Sequence, residues 1–202
     1  MDLIGMLDSP YVRRAAISLR LLGIPFTHIN WSVFRNFDEF RQVNPLVKAP
    51  TLVLDDGTLL TESSLIIDWA QSVSSKPSLM PSDAAQRLRA TRLVGIAIAA
   101  SEKSVQIVYE HKREADKRDQ GWLQRVQGQL HSAYDLLERE LGGVNGWLFG
   151  DKPTQADISI AVAWGFTQIV AADVIDAQAY PNLVRFSRHA EQHPDFAALP
   201  PV

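Results

Sequence analysis

The chain contains no cysteine among its 202 residues. This absence excludes disulfide bonds, thiolate metal sites and any mechanism in which a thiol of the protein is the nucleophile. It also fits a protein that works in a reducing compartment.

An excess of positive charge is missing as well. The formal net charge is −3 at pH 7, and the basic residues are scattered or stand beside acidic ones, as in the segment 110–114. A nucleic-acid-binding surface needs a basic patch or stripe. The sequence therefore predicts no nucleic-acid partner.

Long apolar runs are also missing. The longest strongly apolar stretch, 93–100, is much shorter than the roughly 20 residues that cross a bilayer. Residues 1–5 show neither the basic nor the apolar part of a secretory signal peptide. What is present is an ordinary globular composition, 46% hydrophobic and 21% charged. These features predict a cytoplasmic protein with no membrane partner.

Strand and helix patterns alternate over the first third of the chain. Short apolar or β-branched runs predict strands, and apolar residues at helical spacing predict helices. Ser9-Pro10 is typical of a helix start, and Asp55-Asp56-Gly57 is typical of a hairpin turn. The predicted order is β-α-β-α-β-β-α. The strands are predicted at 3–7, 26–31, 51–54 and 58–60, and the helices at 10–22, at 38–43 and after Ser63.

The second part of the chain has a different character. A segment rich in serine, with one proline, indicates a linker, and strand patterns fade beyond it. Helical spacing then predicts helices over 83–113 and 119–141, and two more that begin near Ile158 and Pro181. The sequence therefore predicts an α/β domain over 1–75, a linker over 76–82 and an all-α domain over 83–202.

Four segments together resemble the glutathione transferase family. They are Ser9-Pro10-Tyr11-Val12-Arg13, the segment 44–52, Leu60-Thr61-Glu62-Ser63 and the segment 150–158. The resemblance implies a thioredoxin-like glutathione-binding domain at 1–75, followed by an all-helical domain that contributes the electrophile site. It also implies a homodimer in which the glutathione thiolate attacks a small hydrophobic electrophile. Glutathione is then a cosubstrate, and no metal takes part.

Ser9 is the catalytic residue that this resemblance implies. A hydroxyl at a helix N-terminus can donate a hydrogen bond to a thiolate, and the helix end adds partial positive charge. Both effects lower the pKa of a bound thiol from about 8.5 towards neutrality. Tyr11 offers a second hydroxyl nearby, and the resemblance favours Ser9. Arg13 either adds positive charge to the site or forms a surface salt bridge.

The resemblance also implies which residues hold glutathione. Ala49 precedes a cis-proline, Pro50, and its backbone pairs with the cysteinyl part of the tripeptide. Lys48 is placed to meet the glycyl carboxylate, and Val47 stands where many family members have glycine. Ser63 at a helix N-terminus meets the γ-glutamyl carboxylate, and Glu62 accepts from the γ-glutamyl ammonium.

The second substrate is less well defined by the sequence. The residues that the resemblance offers for the electrophile site are Tyr11, Val105, Val108, Tyr109 and Trp164, although aromatic residues at helical spacing are also ordinary core residues. Thr154 and Asp157 resemble a capping box with a folding role. Two alternatives stay open: a binding or regulatory protein on the same fold with little catalysis, and a glutathione-dependent isomerase or dehalogenase.

Overall fold

The protein divides into two compact units. The structure, a computed structural model, describes residues 1–201. The first unit consists of Met1–Leu79 and the segment that begins at His193, and the second consists of Met80–Gln192. The predicted linker, 76–82, lies in the non-helical stretch that contains this boundary.

The first unit is a four-stranded mixed sheet with helices. Its elements are β1 (Asp2–Ile4), α1 (Pro10–Leu21), β2 (Thr27–Ile29), α2 (Phe37–Val43), β3 (Thr51–Val53), β4 (Leu59–Thr61) and α3 (Ser63–Val73). The strand order is β2-β1-β3-β4; β1 is parallel to β2 and antiparallel to β3, and β3 is antiparallel to β4. Leu3 is fully buried at the centre of β1 and pairs with His28 on one side and Leu52 on the other.

This order confirms the predicted β-α-β-α-β-β-α pattern, but the strands are shorter than expected. The first strand ends at Ile4, whereas the apolar run suggested that it would reach Leu7. Gly5 follows with φ of +140°, a conformation that side-chain-bearing residues rarely adopt, and the chain leaves the sheet there. The hairpin is confirmed, because Leu54 N–H donates to the Thr58 carbonyl at 2.9 Å and Gly57 has φ of +85°.

The second unit is helical. The Asp83 and Asp119 side chains cap its two longest helices by accepting from the backbone N–H groups of Gln86 and Trp122, each at 2.9 Å. The sixth helix begins at Gln155, three residues before the predicted start, because Thr154 is its cap. The helices are α4 (Ala84–His111), α5 (Gln120–Glu140), α6 (Gln155–Val170) and α7 (Pro181–Glu191). Within residues 1–201, no helix is long and apolar enough to cross a membrane.

A buried hydrogen-bond network joins three helices of this unit. Tyr134 of α5 shares a hydrogen bond of 2.6 Å with Thr167 of α6, and Thr167 shares another of 2.7 Å with Ser104 of α4. The Tyr134 hydroxyl also lies 3.0 Å from the Ala163 carbonyl. Burial raises the pKa of Tyr134 far above its ordinary value, so the phenol stays neutral. These polar atoms are buried but hydrogen-bonded, as a folded core requires.

The C-terminal segment lies with the first unit and not with the helical one. It contains a short helix, α8 (Pro194–Ala197), which contacts α1. The observed second unit therefore ends before this segment, whereas the predicted helical domain extended over 83–202. Arg13, for which a surface salt bridge stayed open, is instead buried in α1, and its Nε donates to the Leu199 carbonyl at 2.8 Å. The two residues that this hydrogen bond joins lie 186 positions apart in the sequence.

Arg13→Met is expected to lower the free energy of unfolding by about 1–3 kcal/mol, because it leaves the Leu199 carbonyl without this donor. Arg20 provides a matched control on the same helix. Its side chain is 42% exposed and its Nε lies 3.2 Å from Asp195 Oδ1. An exposed ion pair of this kind contributes about 0.5 kcal/mol or less, so Arg20→Met should be nearly neutral. Urea unfolding of both variants measures the difference. Equal decreases in the free energy of unfolding would contradict the role of Arg13.

Candidate functional site

The start of α1 is built around Ser9. Ser9 is the N-cap residue with an extended backbone, and Pro10 occupies the first helical position, as the sequence pattern predicts. The Ser9 hydroxyl oxygen accepts from Val12 N–H at 3.5 Å, which is a long hydrogen bond. A hydroxyl that accepts one bond can still donate its hydrogen. The half-buried Ser9 side chain is therefore able to donate a hydrogen bond to an anion beside this helix end.

Gly5 brings the end of β1, the first turn of α1 and Ala49 into contact. A Cβ atom built on Gly5 would lie only 2.5 Å from Val12 Cγ2 and 3.0 Å from Ala49 Cβ. No side chain fits in that space, so three segments approach each other through this glycine. The Gly5 carbonyl accepts from His28 Nε2 at 2.7 Å, which ties the same point to β2.

The segment between α2 and β3 has the conformation that the resemblance implies. The Ala49–Pro50 peptide bond is cis, which confirms that expectation. Val47 has φ of +46°, in the left-handed region that favours glycine. The protein thus keeps a glycine-like conformation at Val47 although the residue is β-branched. Pro50 is buried, Ala49 is half-buried and the Lys48 side chain is exposed.

Glu62 and Ser63 form the start of α3, in slightly different positions from those predicted. Glu62 is the N-cap, with φ of +71°, and Ser63 is the first helical residue. One Glu62 carboxylate oxygen accepts from Ser64 N–H at 3.1 Å, and the other accepts from the Ser63 hydroxyl at 3.3 Å. Glu62 therefore caps its own helix, while Ser63 is only 1% exposed.

Arg14 lies beside these two residues and was not singled out by the sequence patterns. It is buried in α1, and its Nη1 donates to Ser63 Oγ at 2.8 Å and to Ser64 Oγ at 3.1 Å. Burial lowers the pKa of Arg14 to about 10, and the Glu62 carboxylate opposes that shift. Arg14 therefore still carries a positive charge at neutral pH. It places this charge against the hydroxyl of Ser63.

The predicted residues thus meet around the first two turns of α1. Ser9 caps the helix, Val12 and Ala49 both lie close to Gly5, and Arg14 reaches the start of α3. This cluster offers a hydroxyl and a helix N-terminus for one anion, and a buried cation with a second helix N-terminus for another. Among residues 1–201, no group of three or more His, Asp or Glu side chains is arranged to hold a metal ion.

Comparison with protein families agrees with this arrangement. The model of the glutathione S-transferase N-terminal domain matches residues 3–78, and the model of the glutathione S-transferase C-terminal domain matches residues 120–189. Together the two models cover more than half of the chain. The protein belongs to the glutathione S-transferase family. The predicted family and fold, a thioredoxin-like domain followed by an all-helical domain, are therefore confirmed.

Individual relatives extend over nearly the whole chain. The GST-like protein YibF of Escherichia coli K12 is 29% identical over 204 aligned residues, which cover 100% of this chain and 98% of that protein. A maleylacetoacetate isomerase of Pseudomonas aeruginosa is 29% identical over 94% of this chain and 90% of its own. A glutathione S-transferase of Methylobacterium radiotolerans, solved in complex with glutathione sulfonate, is 29% identical over 98% of this chain and 93% of its own, with a TM-score of 0.90.

The residues proposed for the second substrate occupy different environments in this protein. Val105 and Val108 are half-buried on α4, and Tyr109 near its end is 48% exposed, with Lys112 Nζ 5.5 Å from the ring centroid. Trp164 is 4% exposed, and its ring packs edge-on against Tyr134 at a centroid distance of 5.2 Å. Its ring also contacts Tyr180, so Trp164 belongs to the core of the helical unit. Tyr11 is half-buried on the first turn of α1.

The capping motif of α6 has the structural role that its sequence suggests. Asp157 is fully buried, and one carboxylate oxygen accepts from the backbone N–H of Thr154 at 2.7 Å and from the Thr154 hydroxyl. Its other oxygen accepts from Leu148 N–H at 2.9 Å, which ties the preceding loop to the helix. Burial raises the pKa of Asp157, while these hydrogen bonds act in the opposite direction. Removing the carboxylate would leave three donors without it.

Proposed function

We propose that this protein binds glutathione in its first unit and catalyses the attack of the glutathione thiolate on small apolar electrophiles. The observation that carries this proposal is the meeting of Ser9, Ala49 and Ser63 around the first two turns of α1. Support also comes from the relative of Methylobacterium radiotolerans that was solved with glutathione sulfonate, a glutathione derivative.

Ser9 is the catalytic residue in this proposal. Its hydroxyl donates a hydrogen bond to the glutathione sulfur, and the N-terminus of α1 contributes partial positive charge. Both interactions favour the thiolate over the thiol, so they lower the pKa of the bound thiol. Ser9 itself forms no covalent bond with either substrate. Tyr11, also half-buried on the same turn, is the competing hydroxyl.

The rest of glutathione is held by backbone and charge. The backbone of Ala49, ahead of the cis Pro50, pairs with the cysteinyl residue in the manner of an added strand. The exposed Lys48 meets the glycyl carboxylate. At the other end of the tripeptide, the first N–H groups of α3 bind the γ-glutamyl carboxylate, and the Ser63 hydroxyl turns its one hydrogen from Glu62 to that carboxylate. Glu62 has two further lone pairs for the γ-glutamyl ammonium, beyond the hydrogen bonds it already accepts.

Arg14 strengthens this carboxylate site without contacting the ligand directly. Its cation lies 2.8 Å from Ser63 Oγ and 3.1 Å from Ser64 Oγ, in a buried setting where charge is weakly screened. A positive charge behind the hydroxyl makes the Ser63 O–H a better donor to an anion. The electrophile is expected to meet α4 at Val105, Val108 and Tyr109. We also propose a homodimer and a cytoplasmic location, as the sequence suggested.

Isomerisation is the second candidate reaction, favoured by the 29% identity to a maleylacetoacetate isomerase. In such a reaction the thiolate adds to an activated cis double bond, the resulting single bond rotates, and elimination restores the thiolate and a trans double bond. Glutathione is regenerated, whereas conjugation consumes one thiol for each product. Counting free thiol during turnover with an aryl halide and with maleylacetoacetate separates the two reactions. A protein that binds glutathione but turns over neither substrate would be a binding protein instead.

Ser63→Ala is expected to weaken glutathione binding by about 10- to 100-fold, because a hydrogen bond to a charged group is lost. Ser64→Ala is the matched control, since Ser64 also accepts from Arg14 and is the next residue of the same helix. It should bind within about threefold of the unmodified protein. Calorimetric titration of glutathione into the three proteins makes the measurement. No binding to the unmodified protein would refute the proposed function, and equal losses in both variants would refute the role of Ser63.

A further inference from the structure

Two buried polar side chains stand at the ends of the segment 44–50. Asn44 ends α2 and is 3% exposed, and Thr51 begins β3 and is completely buried. Neither side chain is accessible to a ligand. Their polar atoms must therefore be satisfied inside the protein.

These side chains hydrogen-bond to each other and to the segment they enclose. Asn44 Nδ2 donates to Thr51 Oγ1 at 2.8 Å, and Thr51 Oγ1 donates to the Lys48 carbonyl at 2.7 Å. Asn44 Oδ1 accepts from Leu46 N–H at 3.0 Å, and the Asn44 carbonyl accepts from Val47 N–H at 2.9 Å. Three consecutive residues, 46–48, are thus fixed through their backbone.

The segment needs such fixing because Val47 has φ of +46°. A β-branched residue is unfavourable in the left-handed region and stays there only when its surroundings hold it. The bonds to Leu46 N–H, Val47 N–H and the Lys48 carbonyl surround this residue on both sides. If they were lost, Val47 would relax towards a negative φ and turn the next two residues, Lys48 and Ala49, away from their present positions.

We propose that Asn44 and Thr51 are positioning residues for glutathione. They hold the backbone of Ala49 ready to pair with the cysteinyl part of the tripeptide, and this inference rests on the proposed function above. Preorganisation of this kind affects affinity, because the ordering of the segment is completed before the ligand arrives. Since neither residue approaches the ligand, the pKa of the bound thiol should not depend on them.

Thr51→Val is the decisive variant, because it keeps the shape and β-branching of threonine but removes the hydroxyl. It should weaken glutathione binding by about tenfold or more and raise KM by the same factor. The pKa of the bound thiol and kcat at saturating glutathione should stay unchanged. Thr51→Ser keeps both hydrogen bonds and should bind within about threefold of the unmodified protein.

A second variant tests the role of Val47. In the Thr51→Val background, Val47→Gly removes the steric cost of the positive φ, so part of the lost affinity should return. Urea unfolding of every variant shows whether it folds, and titrations are compared only among folded proteins. If Thr51→Val does not fold, Asn44→Ala gives the same test, because it removes the donor to Thr51 Oγ1 and the acceptor of Leu46 N–H.

The outcomes separate this inference from the proposed function. If the unmodified protein binds no glutathione, the proposed function fails and the inference fails with it. If the unmodified protein binds but Thr51→Val binds equally well, only the inference is overturned. It is also overturned if Thr51→Ser is as weak as Thr51→Val, or if Thr51→Val shifts the thiol pKa. Weaker binding with an unchanged thiol pKa, restored by Thr51→Ser, supports it.

Discussion

Ser9→Ala is expected to slow thiolate attack at pH 7 by about tenfold or more, while glutathione binds with nearly unchanged affinity. Without the hydroxyl, the pKa of the bound thiol should return towards about 8.5, where only about 3% of the thiol is ionised at pH 7. A pKa lowered to about 7 would instead leave about half of it ionised. Thiolate absorbance of the bound complex and kcat measured across pH make the test.

The rate deficit of Ser9→Ala is expected to depend on pH. Because Ser9 is proposed to lower the thiol pKa, its benefit is largest below the unperturbed pKa and disappears above it. The rate of Ser9→Ala should therefore approach that of the unmodified protein as the pH rises above about 9. A constant deficit at all pH values would show that Ser9 acts through something other than thiol ionisation.

Two control variants separate catalysis from capping. Ser9→Asp keeps a good helix cap but places negative charge beside the sulfur, so the helix should remain stable while the thiol pKa rises. Tyr11→Phe removes the competing hydroxyl and should leave the rate almost unchanged. If Tyr11→Phe lowers the rate and Ser9→Ala does not, the thiol is activated by Tyr11.

Asp157→Ala is expected to lower the free energy of unfolding by about 3–5 kcal/mol. The change leaves Leu148 N–H and the N–H and hydroxyl of Thr154 without their shared acceptor at the start of α6. Asp157→Asn keeps one accepting oxygen but turns its own N–H group towards these donors, so an intermediate loss of about 1–3 kcal/mol is expected. Asp151 is exposed in the preceding loop, so Asp151→Ala should cost about 0.5 kcal/mol or less.

Urea unfolding followed by circular dichroism measures these differences. The prediction concerns folding alone, so folded Asp157→Asn should bind glutathione with the affinity of the unmodified protein. A loss in Asp157→Ala no larger than that in Asp151→Ala would contradict the structural role of the cap. A selective loss of glutathione binding in fully folded Asp157→Asn would contradict its restriction to folding.

Much of the site was predictable because its signals are local. Ser9-Pro10 and Thr154 to Asp157 mark helix starts through hydrogen bonds that span only three residues, and such bonds are visible as short sequence patterns. The cap of α3 is Glu62, one residue before the serine that the sequence suggested, because both Glu62 and Ser63 are able to cap a helix. The ligand roles of Lys48, Ala49, Pro50, Glu62 and Ser63 are still predictions.

Arg14 was missed because its burial depends on segments far away in the sequence. A second arginine in an amphipathic helix is ordinarily a surface residue. In this protein every residue from Val12 to Leu19 is buried, and the partner of Arg14 lies 49 residues further along the chain. Val47 shows the same limit, since its left-handed backbone is held by Asn44 and Thr51, whose pairing becomes visible only in three dimensions.

The sequence by itself determined the order of helices and strands, most of the helix starts, the hairpin at Asp55-Asp56-Gly57 and the family. These features follow from periodicity, capping and turn chemistry, all of which act over a few residues. Only the tertiary structure decided that the segment beginning at His193 joins the first unit, that Arg13 holds it through the Leu199 carbonyl, and that Trp164 is a core residue. The physical reason is that burial is set by which distant segments cover a side chain.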